Sequence, residues 1–412
     1  MSWSYKTRRL GIGVVFVLLL AALVGMAQAK TTLTVGTWLT LDGWESTYGP
    51  QMDLFEKTNP DVELDVMTIA GHSEYAAKIA VLAATGEITD VLQLPSEQVA
   101  PLVAGGILED LEPWINRDKN LDTRAWNPGA VNAVRYMGIM FGMPGFVVNY
   151  TYAYNKDILA ERGVVPPTAD KWVTWDEIRD IGRRSTVDVD GDGVPEIWGY
   201  YHGTSYTEMI PLIFQAGWHM FDEDDLLDID HPLVYKGMNW LLALIRENVH
   251  GGTRPLFYQG NVATMRLGSW EMNNIINAQT PIAVTSGIQE ATKKGVAYVT
   301  SFAMTSNSRR KDTAWRYLKY LASRESQEFV AARGRVPIRR DVSFPLEMRD
   351  ILMGLTNSLG YAEPYPYHIH SDYIQRAFNA GIAPVWRGEA TPEAVVPEIQ
   401  RTINAYLRQQ SR

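Results

Sequence analysis

The run Thr32-Leu33-Thr34-Val35-Gly36-Thr37-Trp38 decides how the rest of the chain is read. It is rich in β-branched residues, alternates in polarity, and gives way to a small residue and a large aromatic, as a strand does where it meets a loop. Beyond it, Met52, Leu54 and Phe55 recur at helical spacing within 49–59 until Asn59-Pro60 stops the pattern, and 62–69 again reads as a strand. This is a β-α-β unit. The alternation continues with a helix over 75–85, a short buried strand over 90–94 and a helix over 99–105, which predicts an open parallel sheet with helices on both faces. Ligands of such sheets bind beyond the carboxyl ends of the strands. That rule marks Trp38, Asp42 and Trp44 after the first strand, Glu74 and Tyr75 after the second, and Gln93 and Glu97 around the third.

Further along, 138–144 and 146–154 read as strands, Thr174 and Glu177 form a capping signature ahead of a helix, and 206–216, 232–247 and 312–332 read as helices. At 412 residues the chain exceeds one ordinary core, so two lobes are expected. Hydrophobic residues make up 46% and charged residues 21%, an ordinary globular balance without repeats or low-complexity tracts.

Residues 1–29 differ from the rest. Lys6, Arg8 and Arg9 precede an uncharged apolar run and the small-residue site Ala27-Gln28-Ala29, the pattern of a secretory signal peptide cleaved after Ala29; an uncleaved anchor is the rival reading. Removing it takes away three positive charges and moves the net charge from -9 to -12. An acidic chain without a long basic run argues against nucleic acid as a partner. The absence of cysteine excludes disulfides, thiolate metal sites and an acylated lipoprotein cysteine. A soluble, extracytoplasmic, periplasmic-type location follows as the expectation.

Several short motifs then occur in one order. Phe55-Glu56-Lys57-Thr58-Asn59-Pro60 is followed by Gly142-Met143-Pro144, by Tyr154-Asn155-Lys156-Asp157, and by the stretch from Phe257-Tyr258-Gln259-Gly260-Asn261 to Gly268-Ser269-Trp270. In these the chain resembles extracellular solute-binding protein family 1, the sugar-binding receptors of ATP-driven importers. Arg266-Leu267 departs from the family's more apolar strand. The resemblance implies a periplasmic-binding-protein-like fold of two α/β lobes joined by a hinge with multiple chain crossings. One lobe would take 30–145 plus about 297–340, the other 146–296 plus about 341–412. It also implies a monomer that captures a small molecule, a carbohydrate first of all, and presents it to the membrane subunits of an ABC importer.

A sugar offers flat C–H faces and a rim of hydroxyls, so its site needs aromatic platforms beside carboxylates, amides and arginines. Thirteen Trp and 20 Tyr against 11 Phe favour such amphipathic aromatics. Trp38 and Trp270 align with cleft positions of the family, and Trp218, Tyr206, Tyr373 and Arg335 are further candidates. Trp44 suits either a cleft wall or a staple for the helix behind it. Asp188-Val189-Asp190-Gly191-Asp192-Gly193 reproduces the first half of a calcium loop, but its twelfth position is Gly199 and Glu196 stands at the ninth. Asp188, Asp190, Asp192 and Glu196 are therefore either a structural calcium site or an Asp/Gly turn of that shape. No cofactor is required. Without a nucleophile elbow or phosphate loop, binding alone is expected. The alternatives are a polyol, glycerophosphodiester or peptide ligand, or a secreted glycoside hydrolase whose carboxylate pair is assembled by folding.

Overall fold

The computed structural model describes residues 30–410 apart from Ala70 and Gln279; the leader 1–29 lies outside the described residues. The chain opens with β1 (Thr31–Thr37), α1 (Leu41–Thr58), β2 (Val62–Thr68), α2 (Tyr75–Thr85), β3 (Val91–Pro95) and α3 (Val99–Ala104). β1 pairs in parallel with β2, Thr31 facing Val62 through to Thr37 facing Thr68, and with β3 on its other side. All of β3 is buried, whereas β2 is an edge strand exposed at alternate positions.

Helix α1 begins eight residues before the predicted start at Gly49. Thr40 caps it, its hydroxyl accepting from the Gly43 N–H at 3.1 Å, and Pro50 lies inside. A proline there removes the N–H that would reach the Ser46 carbonyl. Arg333 supplies the missing donor, its Nε lying 3.2 Å from that oxygen, so the helix continues.

After a small hairpin the chain runs through β4 (Met143–Val148) and, past Asn149 alone, into β5 (Tyr150–Asn155). β4 belongs to the first sheet and β5 to a second one. The Asn149 amide donates to the Leu355 carbonyl and the Ser358 hydroxyl, and its own carbonyl accepts from the Ser269 N–H at 3.1 Å. The second sheet has β6 (Trp198–Tyr201), β7 (Val262–Gly268) and β8 (Ile282–Val284) in the order β8-β5-β7-β6. Around it pack α4 (Trp175–Ser185), α5 (Tyr206–Gln215), α6 (Pro232–Arg246) and the short α7 (Arg254–Gln259). The predicted capping box at α4 is formed: Thr174 and Glu177 each accept from the other's backbone N–H.

The chain then returns to the first sheet as β9 (Gly295–Met304). β9 pairs antiparallel with β3 and with β4. The first sheet is thus not wholly parallel as predicted, because the strand that closes it arrives from the second sheet and runs the other way. The predicted helix 312–332 is two, α8 (Lys311–Leu321) and α9 (Arg324–Ala332), separated where the Ser323 hydroxyl caps α9 by accepting from the Ser326 N–H. Finally α10 (Arg349–Leu359), β10 (Ala362–Pro364), α11 (Ser371–Trp386) and α12 (Pro392–Gln410) follow, with β10 pairing in parallel with β9. Among the described residues no helix is long and apolar enough to cross a membrane.

Gln327, buried on α9, joins three segments. Its amide donates to the carbonyls of Gly145 and Leu321, both at 2.8 Å, and its oxygen accepts from the Ile338 N–H at 2.8 Å. Gln327→Leu leaves these backbone groups unpaired in an apolar setting. We expect urea denaturation to show a loss of about 2–4 kcal/mol.

Candidate ligand-binding cleft

The carboxyl ends of β1 and β3 open onto a cleft of about 600 Å³, within the range of small-molecule sites. Trp38 follows β1 directly and lines it. The ring is held edge-on by Tyr75, 5.7 Å away between centroids, and by His72 at 5.8 Å. Tyr75 is itself fully buried and donates its hydroxyl to the Gly36 carbonyl at 2.8 Å. It therefore steadies Trp38 from behind and does not line the cleft.

Trp270 lines the cleft just past β7. Its indole packs edge-on against Tyr150 at 5.1 Å, with the Arg254 guanidinium 5.5 Å from its ring. It also folds back over Gly268, where an added Cβ would meet the ring at 2.1 Å, so glycine is required for this approach. Tyr150 and Tyr298 complete the aromatic wall; Tyr298 donates its hydroxyl to the Thr207 carbonyl at 2.8 Å, linking β9 to the first turn of α5. Burial raises the pKa of both phenols, which stay neutral at ordinary pH.

Charged groups are arranged in pairs around these rings. Glu208, on the first turn of α5, accepts from Arg254 at 2.7 Å and pairs with Arg266 beneath it. Arg266 is buried in β7 with its guanidinium carbon 3.7 Å from the centre of the Tyr150 ring. Glu271 lies 3.6 Å from Arg254 and accepts from the Tyr258 hydroxyl and the Asn274 amide. Glu208 and Glu271 are thus committed to guanidinium and hydrogen-bond partners. Glu97 pairs with His72 at 3.0 Å. Gln93 faces the cleft but both ends of its amide are occupied, one by the Thr37 hydroxyl and the other by Tyr48. Arg335 also lines the cleft, its guanidinium carbon 5.4 Å from the centre of the Phe146 ring.

Of the residues singled out in the sequence, the structure therefore gathers Trp38, Gln93, Glu97, Trp270 and Arg335 around one space. Others it places elsewhere. Trp44 is core, 2% exposed against Tyr48 and Phe302, the staple rather than the wall. Asp42 and Glu74 are exposed in the first turn of α1 and just before α2, where they complement helix N-termini. Tyr206 is buried against Phe378, leaving its neighbours Thr207 and Glu208 to face the cleft. Trp218 stacks on His231 and donates to the Asp228 carbonyl, and Tyr373 stacks on Tyr406 between α11 and α12. Arg254, Glu208, Tyr150 and Tyr298 were not singled out. Arg266 carried the one readable signal, a charge inside an otherwise apolar strand.

The carboxylates of Asp188, Asp190 and Asp192 lie within 4.8 Å of one another and are exposed. Their oxygens accept from the loop's own N–H groups, Asp188 from Gly191 and Gly193, Asp190 from Asp192, and Asp192 from Val194. Glu196 turns to the Val189 N–H at 2.8 Å. An Asp/Gly turn accounts for every one of these bonds, and the twelfth position, Gly199, supplies no side-chain ligand.

A family model described as bacterial extracellular solute-binding protein matches residues 42–328. The maltotriose-binding protein of Pyrococcus abyssi is 21% identical over 325 residues, 74% of this chain and 67% of its own length. Among solved structures, an ABC substrate-binding protein of Listeria monocytogenes in complex with cycloalternan superposes with a TM-score of 0.79 at 23% identity, covering 92% of this chain and 99% of that one. The sugar-binding protein MalE of Xanthomonas citri gives 0.79 at 18% identity, covering 92% and 98%.

The pairing with Glu97 raises the pKa of His72 above the usual imidazole value, against the opposing effect of burial. The stabilisation from this pair is complete below the unfolded value of 6.5 and is lost as pH rises through the folded one. An NMR titration should place the His72 midpoint above 6.5 and show it fall back in Glu97→Gln.

Proposed function

The chain belongs to the bacterial extracellular solute-binding protein family, whose members are receptors rather than enzymes, and from that premise we propose that it captures a carbohydrate in the cleft and delivers it to an ABC importer. Membership also places the working protein outside the cytoplasm. The observation that carries the carbohydrate reading is the meeting of Trp38, from the first sheet, and Trp270, from the second, on one cleft. Flat indoles suit the apolar faces of sugar rings, while Glu97, Arg254 and Arg335 line the same space and offer an acceptor and donors for the hydroxyls. The relatives named above support it: one is described as maltotriose-binding, one as sugar-binding, and one is solved in complex with cycloalternan.

In this reading the two lobes close on the ligand by rotation about the crossings at Asn149 and β9, and the importer recognises the closed form. The receptor works as a monomer in the periplasm or its equivalent, after its leader is cleaved. It needs no cofactor, and the 188–196 loop acts as a turn. Adding millimolar calcium to chelated protein should move the melting temperature by less than about one degree; a larger rise would assign the loop to an ion.

A thermal-shift screen over mono- and oligosaccharides should find a ligand that raises melting without being turned over. Trp270→Ala should then weaken that ligand by about ten- to a hundredfold, measured by titration calorimetry, through lost stacking and burial. Turnover of the bound sugar would overturn the receptor reading.

A further inference from the structure

Among the described residues lining the cleft, three side chains carry or acquire positive charge, and two of them are already matched. His72 has Glu97 at 3.0 Å, and Arg254 has Glu208 at 2.7 Å and Glu271 at 3.6 Å. Among the described residues Arg335 has no ion-pair partner and no side-chain hydrogen bond, and its Nη1 is buried without a partner. Its guanidinium carbon lies 5.4 Å from the Phe146 ring. With Arg266 included, three guanidinium groups share two carboxylates, Glu208 and Glu271, while the third carboxylate of the cleft, Glu97, pairs with His72; the unmatched positive charge is therefore local to Arg335.

The position is held firmly. The Arg335 N–H donates to the Val330 carbonyl at 3.0 Å, Gly334 turns the chain at φ +71, and the Val336 carbonyl accepts from the Val147 N–H at 3.1 Å. Glu271 acts on Arg335 only through space and is already paired with Arg254, and a guanidinium kept partly desolvated without a contacting counterion is costly unless something else supplies the charge. Burial already lowers its pKa, the expected response to that desolvation.

Resting on the carbohydrate reading above, we propose that the ligand is an acidic sugar whose single carboxylate, as in a uronic acid, is received by Arg335 while a ring stacks on the tryptophans. The planar fork of arginine matches a carboxylate in two parallel hydrogen bonds. One surplus charge suits a carboxylate better than a phosphate monoester, which brings a charge of about -1.5 to -2.

The test is titration calorimetry of the full chain with matched probes: D-glucuronate against D-glucose, D-galacturonate against D-galactose, and the singly charged disaccharide cellobiouronate against cellobiose. At least one acidic member should bind on the order of tenfold tighter than its neutral partner, less so at high salt. Arg335→Gln should reduce the acid to the affinity of its neutral partner without lowering the melting temperature of the free protein, and Arg335→Lys should keep part of the preference. If neutral members bind as tightly as the acids, or the preference survives in Arg335→Gln, the carboxylate inference falls and the carbohydrate reading stands. If no member of any pair binds, both fall.

Discussion

The structure turns on one strand. Gly295–Met304 pairs with Val91–Pro95 along one part of its length, with Met143–Val148 along another, and with Ala362–Pro364 at its start. It completes the first sheet, and it places Tyr298, Val299 and Thr300 in the cleft. Because Tyr298 also reaches the first turn of the helix Tyr206–Gln215, the same strand sets the distance between the aromatic wall and Glu208. Displacing it would disturb the sheet, the crossing and the site together.

The buried charges beneath the cleft work differently from this apolar frame. Arg266 and Glu208 are both largely removed from water, and a pair of this kind adds little net stability relative to well-packed apolar groups. What it supplies is position. Arg266 under Tyr150, Glu208 between two guanidiniums and Arg254 beside Trp270 fix the orientation of rings and donors before a ligand arrives. Holding these side chains in place ahead of binding reduces the ordering that the ligand would otherwise have to impose.

Much of the frame was legible from local signals. The β1 pattern, the helix Tyr75–Thr85 and the Thr174–Glu177 capping box fall where periodicity and capping chemistry put them. The early start of Leu41–Thr58 was hidden because Pro50 reads as a breaker, and the donor that compensates for it, Arg333, lies nearly three hundred residues away. The site was legible mainly at strand ends, as for Trp38, Gln93, Glu97 and Trp270, with Arg335, in the turn after a helix, the exception. Trp218, Trp44 and Tyr373 look equivalent in sequence, yet each is taken up by a distant neighbour, His231, Phe302 or Tyr406, that no local pattern pairs with it. Arg254 and Glu208 gave no signal because their roles exist only after two helices meet.

The long strand also imposes an order of events. Phe302 faces Gln93 across 209 residues of chain, so the first sheet lacks the strand that closes it until most of the polypeptide has been made. Until then the edge of Val91–Pro95 is unpaired and the N-terminal segment has no complete core. Such distant pairing slows folding and prolongs exposure of sticky edges. For a protein that works outside the cytoplasm, the consequence is a first sheet that stays open through most of synthesis, its edge available to other contacts until the long strand arrives.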